Sequence, residues 1–133
     1  MIYIDTSALL KRYVQERDSE RAEGYLLADP DWVTARHTLV EVRRNLHRLL
    51  APGPRGQALG AFAEDWERMN VVELDAITCE MAAAVAESTG ARSLDALHLA
   101  AAVRAGGRAS TLVTFDARQA VAARALGLVV LGA

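Results

Sequence analysis

Five short apolar runs punctuate this chain, and at least one stretch of helical periodicity separates each from the next. They are IYI (2–4), WVTA (32–35), VVEL (71–74), TLVTF (111–115) and LVVL (128–131). Runs this short and this apolar read as strands covered on both faces. Strands that alternate with helices pair in parallel and carry helices on both sides, and right-handed crossovers restrict how they connect. The expected fold is therefore α/β, three layers in α/β/α order, with a short, mostly parallel central sheet of about five strands. The 133 residues suit a single domain spanning 1–133.

The helical stretches supply the outer layers. TLVEVRRNLHRLL sets Leu39, Val42, Leu46 and Leu49 on one face, and LGAFAEDWERM repeats the spacing with Leu59, Phe62, Trp66 and Met69. Pro52-Gly53-Pro54 divides these two helices. Gly90, Gly106–Gly107 and Gly127 fall where helices should end. Cys79 lies in the apolar pattern ITCEMAAAVAES and is expected in the core; as the only cysteine it excludes an internal disulfide and suits a reducing compartment. Asp5 interrupts any signal-peptide core at the start, and no apolar run reaches the roughly 18 residues of a membrane span. A cytoplasmic protein without membrane contact is expected.

Net charge is only −2, yet it is unevenly spread. Residues 36–55 carry Arg36, Arg43, Arg44, Arg48 and Arg55 against Glu41, whereas 57–90 carry Arg68 against seven acids. Arg36, Arg43, Arg44 and Arg48 can form a face for a polyanion, or a plain solvated helix surface. All but Lys11 of the basic residues are arginine, the side chain suited to phosphate.

Ligands of open parallel sheets bind beyond the carboxyl ends of the strands, where the strand order reverses. Asp5 follows the first apolar run directly and Asp116 follows the fourth, with Thr6, Ser7 and Thr114 adding hydroxyls. Helix capping is the competing explanation for either aspartate. Glu41 shares a polar helix edge with Thr38 and Asn45 and can reach the same place; alternatively it pairs with Arg44 or Arg48. Asp95 sits two residues after Ser93 in SLDALHLAAAV, either as a dipole-favoured aspartate behind a serine cap or as a site residue, with His98 one turn on as a pairing partner. Four converging carboxylates would repel, each pair at 4 Å by about 4 kcal/mol at an effective dielectric of 20. A divalent cation is the simplest compensation, and an all-oxygen donor set suits Mg²⁺ or Mn²⁺ rather than Zn²⁺.

MIYIDTSALLKRY, Glu41 on its helix, SLDALHLAAA and VTFDARQ together resemble the PIN-domain ribonucleases, especially the VapC-type toxins of bacterial toxin–antitoxin pairs. The resemblance spans essentially the whole chain and rests on the order and spacing of these stretches. It implies a PIN-like fold and a metal-dependent endoribonuclease that arrests translation and growth. Asp5, Glu41, Asp95 and Asp116 would be the catalytic acids, with Asp5, Asp95 and Asp116 holding Mg²⁺ (or Mn²⁺) and Ser7 and Thr114 as supporting hydroxyls. It also implies an RNA substrate (transfer, ribosomal or messenger RNA), a small cognate antitoxin and a homodimer.

Other classes fit less well. A haloacid-dehalogenase-like phosphatase needs a second aspartate where Ser7 stands, and a receiver domain needs a late lysine. A non-catalytic PIN-like RNA-binding or scaffold subunit is the alternative, against which the complete acidic quartet argues.

Overall fold

The apolar runs assemble into one five-stranded sheet, every pair of which is parallel. A computed structural model describes residues 1–133. In chain order the elements are β1 (Ile2–Ile4), α1 (Thr6–Tyr13), α2 (Ser19–Ala28), β2 (Trp32–Ala35), α3 (Thr38–Leu49), α4 (Pro52–Arg68), β3 (Asn70–Val72), α5 (Ala76–Thr89), α6 (Ser93–Gly106), β4 (Thr111–Thr114), α7 (Ala117–Ala125) and β5 (Val129–Gly132). The strand order is β3-β2-β1-β4-β5. The chain builds outward from β1 in one direction and then returns to its other side at β4. The order therefore reverses between β1 and β4, whose register pairs Tyr3 with Leu112 and Ile4 with Val113.

Alternation along the strands divides the core in two. Ile2, Ile4 and Val113 pack with Leu9, Leu26, Val42, Leu46 and Phe62 from α1 to α4. Tyr3, Val33 and Leu112 pack on the other side with Ala82, Leu99 and Ala123 from α5, α6 and α7. Tyr3, Ile4 and Leu112 are completely buried, and each buried side chain of this size contributes about 1.5–3 kcal/mol of transfer free energy. The alanines of α6 (Ala100, Ala101 and Ala102) have no exposed surface, which lets that helix lie close against the sheet. Gly90 closes α5 at φ +73°, a left-handed cap that suits glycine. No helix is long and apolar enough to cross a membrane.

Several details depart from the sequence expectations. α4 begins at Pro52, so Pro52-Gly53-Pro54 forms its first turn, and β5 runs from Val129 to Gly132, one residue later than its apolar run. Cys79 is exposed, not core: the buried face of α5 runs through Thr78, Ala82 and Val85, and a step of 100° from Thr78 carries Cys79 outward. Leu49 is the last residue of α3 and is 45% exposed, so only Val42 and Leu46 of its stripe are buried. β3 begins one residue earlier than its apolar run and ends at Val72, leaving Glu73 and Leu74 outside the ladder.

Candidate functional site

Parallel pairing of β1 and β4 places Asp5 and Asp116 beyond adjacent carboxyl ends. Both also cap helices: Asp5 Oδ1 accepts from the Ala8 amide at 3.0 Å, and Asp116 Oδ1 accepts from the Gln119 amide at 3.0 Å. Capping engages one oxygen of each carboxylate and leaves the other for a further partner. Asp5 is 4% exposed. Ser7 donates to its Oδ1 at 2.7 Å and Thr114 to its Oδ2 at 2.5 Å. The Phe115 amide donates to Ser7 Oγ and the Asp116 amide to Thr114 Oγ1, so the two hydroxyls tie the ends of β1 and β4 together. Burial raises the Asp5 pKa, against the opposing effects of His98 and of the donors Thr114, Ser7 and Ala8.

Glu41 reaches in from α3. Its Oε1 accepts from Thr6 Oγ1 at 2.7 Å and from His98 Nε2 at 2.8 Å. Burial pushes its pKa up, but the hydrogen bond and charge of His98, together with Thr6 and His37, outweigh burial and hold it below the usual glutamate value. His98 Nδ1 lies 2.8 Å from the hydroxyl of fully buried Tyr3. Burial pushes the Tyr3 phenol well up, so it keeps its proton. Nε2 donates to the Glu41 carboxylate, and Nδ1 faces the Tyr3 hydroxyl on the other side of the ring. His98 therefore pairs with Glu41 and Tyr3, not with Asp95: it points into the sheet, whereas Asp95 lies at the open end of α6. His37, just ahead of α3, stacks 4.1 Å from the His98 ring and donates through Nε2 to the Leu94 carbonyl. Burial, and then His98, push His37 down to about 4, which keeps it neutral.

Asp95 differs from its neighbours in that no donor of the chain reaches its carboxylate; only its backbone carbonyl is engaged, by Gln119 Nε2 at 3.4 Å. Burial raises its pKa first and the Asp116 charge next; His98 opposes them, and the Asp5 and Glu41 charges add to the rise. Nor does Ser93 cap α6. The N-cap residue is Arg92, which makes no side-chain capping bond. The Asp95 carboxylate is thus left without a hydrogen-bond donor or an ion-pair partner within the chain, and His98 is the one charge that opposes the rise of its pKa.

Two groups of side chains come into question as a cation site. His37, Glu41 and His98 offer ligand atoms within 4.8 Å of one another. Both nitrogens of His98 are already hydrogen-bonded and Nε2 of His37 is spent on Leu94, which leaves only the buried Nδ1 of His37 without a partner, so the trio reads first as a polar network around Glu41. Asp5, Asp95 and Asp116 are more widely spaced, but they supply hard oxygens, including the donor-free Asp95 carboxylate and the uncommitted Oδ2 of Asp116. That donor set fits a divalent cation of the Mg²⁺ or Mn²⁺ kind.

Of the basic residues, Arg43, Arg44 and Arg48 are exposed on α3. Arg36 lies before the helix, in a two-pronged ion pair with Glu73 and over the Trp66 ring. Sequence reasoning missed the roles of Tyr3 and His37. His37 had one available signal, its place just beyond the carboxyl end of β2.

The PIN domain family matches residues 2–125. Ribonuclease VapC35 of Mycobacterium tuberculosis is 39% identical, over 98% of this chain and 95% of its own length. Ribonuclease VapC46 of the same organism is 32% identical over the same shares. Among solved structures, FitAcB from Neisseria gonorrhoeae superposes with a TM-score of 0.78 at 18% identity, covering 99% of this chain and 97% of that one.

Proposed function

The chain belongs to the PIN-domain family, and from that premise we propose that it is a metal-dependent endoribonuclease, the VapC-type toxin of a toxin–antitoxin pair. One observation carries the reading: Asp95 has no donor of its own and lies at the β1/β4 switch point among the charges of Asp116, Asp5 and Glu41, with His98 the one group opposing them. Likeness to two VapC ribonucleases along nearly the whole chain supports it. Asp5, Asp95 and Asp116 hold Mg²⁺ or Mn²⁺, which when bound offsets the carboxylate charge and stabilises negative charge on the scissile phosphate.

The other roles belong to the chain itself. Ser7 and Thr114 fix both oxygens of Asp5. Thr6 and His98 occupy Oε1 of Glu41, and Oε2 remains for a water molecule. In the hydrolysis, the water oxygen bonds to phosphorus and the bond from phosphorus to the 3′ oxygen breaks, leaving a 5′-phosphate and a 3′-hydroxyl. The lowered pKa of Glu41 suits it to orienting the water more than to keeping its proton. Exposed Arg43, Arg44 and Arg48, with Arg36 at the edge, attract the RNA backbone. The protein acts in the cytoplasm as one domain of residues 1–133, as a homodimer, and a small antitoxin covers the site.

Purified protein incubated with total RNA should produce discrete 5′-phosphate ends, read by sequencing, with Mg²⁺ or Mn²⁺ and none with EDTA. RNA left intact with both ions, or cut equally in EDTA by metal-free protein, contradicts the reading. Replacing Arg43 and Arg44 by Gln should weaken binding to all RNAs alike and flatten its salt dependence, by about 0.7 in logarithmic slope per lost phosphate contact on single strands. An unchanged slope would make this face ordinary solvated surface.

A further inference from the structure

Beside Asp95 opens a cavity of about 520 Å³ between the first turns of α6 and α7, lined among others by Arg92, Asp95, Arg118 and Gln119. Both arginines are exposed. The ion pairs of the chain engage Arg12, Arg21, Arg36 and Arg104, so neither Arg92 nor Arg118 is neutralised by a neighbouring carboxylate. Both also stand where stability disfavours them. Arg92 is the N-cap residue of α6, a position suited to Ser, Thr, Asp or Asn, and it makes no capping bond. Arg118 lies in the first turn of α7, where the helix dipole favours negative charge, which Asp116 supplies at the N-cap. Gln119, 1% exposed, lines the same cavity, and its amide oxygen has no partner within the protein.

Two unpaired arginines thus flank one cavity, each within three residues of a site aspartate (Arg92 before Asp95, Arg118 after Asp116). Resting on the ribonuclease reading, we propose that this cavity is a nucleotide subsite, in which Arg92 and Arg118 together hold the RNA phosphate next to the one that is cut. Guanidinium groups take phosphate oxygens in paired hydrogen bonds. They offset the repulsion that the Asp5, Asp95 and Asp116 carboxylates exert on the strand without touching the reacting atoms. They are positioning residues and differ from the α3 arginines in place: they fix register at the site, whereas Arg43, Arg44 and Arg48 lie along a helix on the opposite face of the sheet.

The test is fluorescence-anisotropy binding of a labelled, mixed-sequence single-stranded RNA pool across a salt series. All proteins carry Asp5→Asn, and RNA integrity is checked on a gel. Adding Arg92→Gln and Arg118→Gln should weaken binding about tenfold or more and make the salt slope shallower by about 0.7, one phosphate on a single strand. The distant pair Arg108→Gln and Arg124→Gln, with the same loss of charge, should leave the slope unchanged. Arg92→Ser supplies a cap, so its melting midpoint should rise while RNA affinity falls, a split that a merely structural arginine does not produce. Equal slopes in all variants, an equal loss in the distant pair, or a stabilised Arg92→Ser that binds normally would each overturn the subsite. Failure of the Asp5→Asn protein itself to bind RNA would instead overturn the ribonuclease reading, and the subsite with it.

Discussion

Replacing Asp95 by asparagine should abolish RNA cleavage and at the same time raise the melting midpoint of the metal-free protein. The activity loss follows from its proposed place as a metal ligand: removing the carboxylate charge should cost about 10³-fold or more in rate, comparable to the loss of a main electrostatic contributor. The stability gain follows from partial burial without a hydrogen-bond donor and from three other carboxylate charges, against which only His98 acts. Its folded pKa is raised, so ionisation at neutral pH disfavours the folded state. The penalty disappears as pH falls below the ordinary aspartate value, where both states are protonated. Asparagine removes the penalty at pH 7. Because Asp95 is partly solvated, the gain after screening is about 0.5–1 kcal/mol, a rise of about 2–4 °C. Saturating Mg²⁺ should reverse the order, since binding stabilises only the state that holds the site. Thermal melts of both proteins at pH 7, in EDTA and in Mg²⁺, decide the matter. A variant that melts lower than wild type in EDTA, or still cuts RNA at the wild-type rate, removes Asp95 from the site.

The same residue shows how far the sequence reaches. Five apolar runs separated by helices were enough to specify a parallel sheet, and the strand-end rule then located Asp5 and Asp116, because both depend on short-range periodicity. What lies across elements was not legible. The contact between Tyr3 and His98 joins residues 95 apart, and Glu41 meets His98 from 57 residues away. No local spacing encodes either, so His98 read as a partner for the aspartate one turn earlier. Ser93 looked like a cap because serine favours that position, but α6 starts one residue sooner than that reading requires. The alanine-rich α5 has almost no amphipathic contrast, so the outward turn of Cys79 could not be read from its neighbours.

Replacing Glu41 by glutamine removes one negative charge from the same site as Asp95→Asn, yet the stability change should have the opposite sign. Burial raises the Glu41 pKa, but His98, Thr6 and His37 favour the ionised form more strongly, and the net shift is downward. A lowered folded pKa contributes stability above the unfolded glutamate value, and that contribution is lost as pH falls through the folded one. At pH 7 glutamine forfeits it and turns a charged hydrogen bond to His98 into a neutral one, at a cost of about 1 kcal/mol. Cleavage should fall by about 10²–10⁴-fold, the usual contribution of a group that directs the attacking water. His98→Ala, which leaves the Glu41 carboxylate in place but unheld on one side, should lose less, about 10–100-fold, as expected for a residue acting through another. Melts at pH 7 and near pH 3 test the stability half: the gap between wild type and Glu41→Gln should narrow at the lower pH. Rate profiles test the rest: the acid limb, set in wild type by the raised pKa values of Asp5 and Asp95, should move to higher pH in His98→Ala, where Glu41 loses the partner that holds its pKa down. A Glu41→Gln protein as stable as wild type at pH 7, or a His98→Ala profile that does not move, would mean that the Tyr3–His98–Glu41 chain serves packing alone and that another group directs the water.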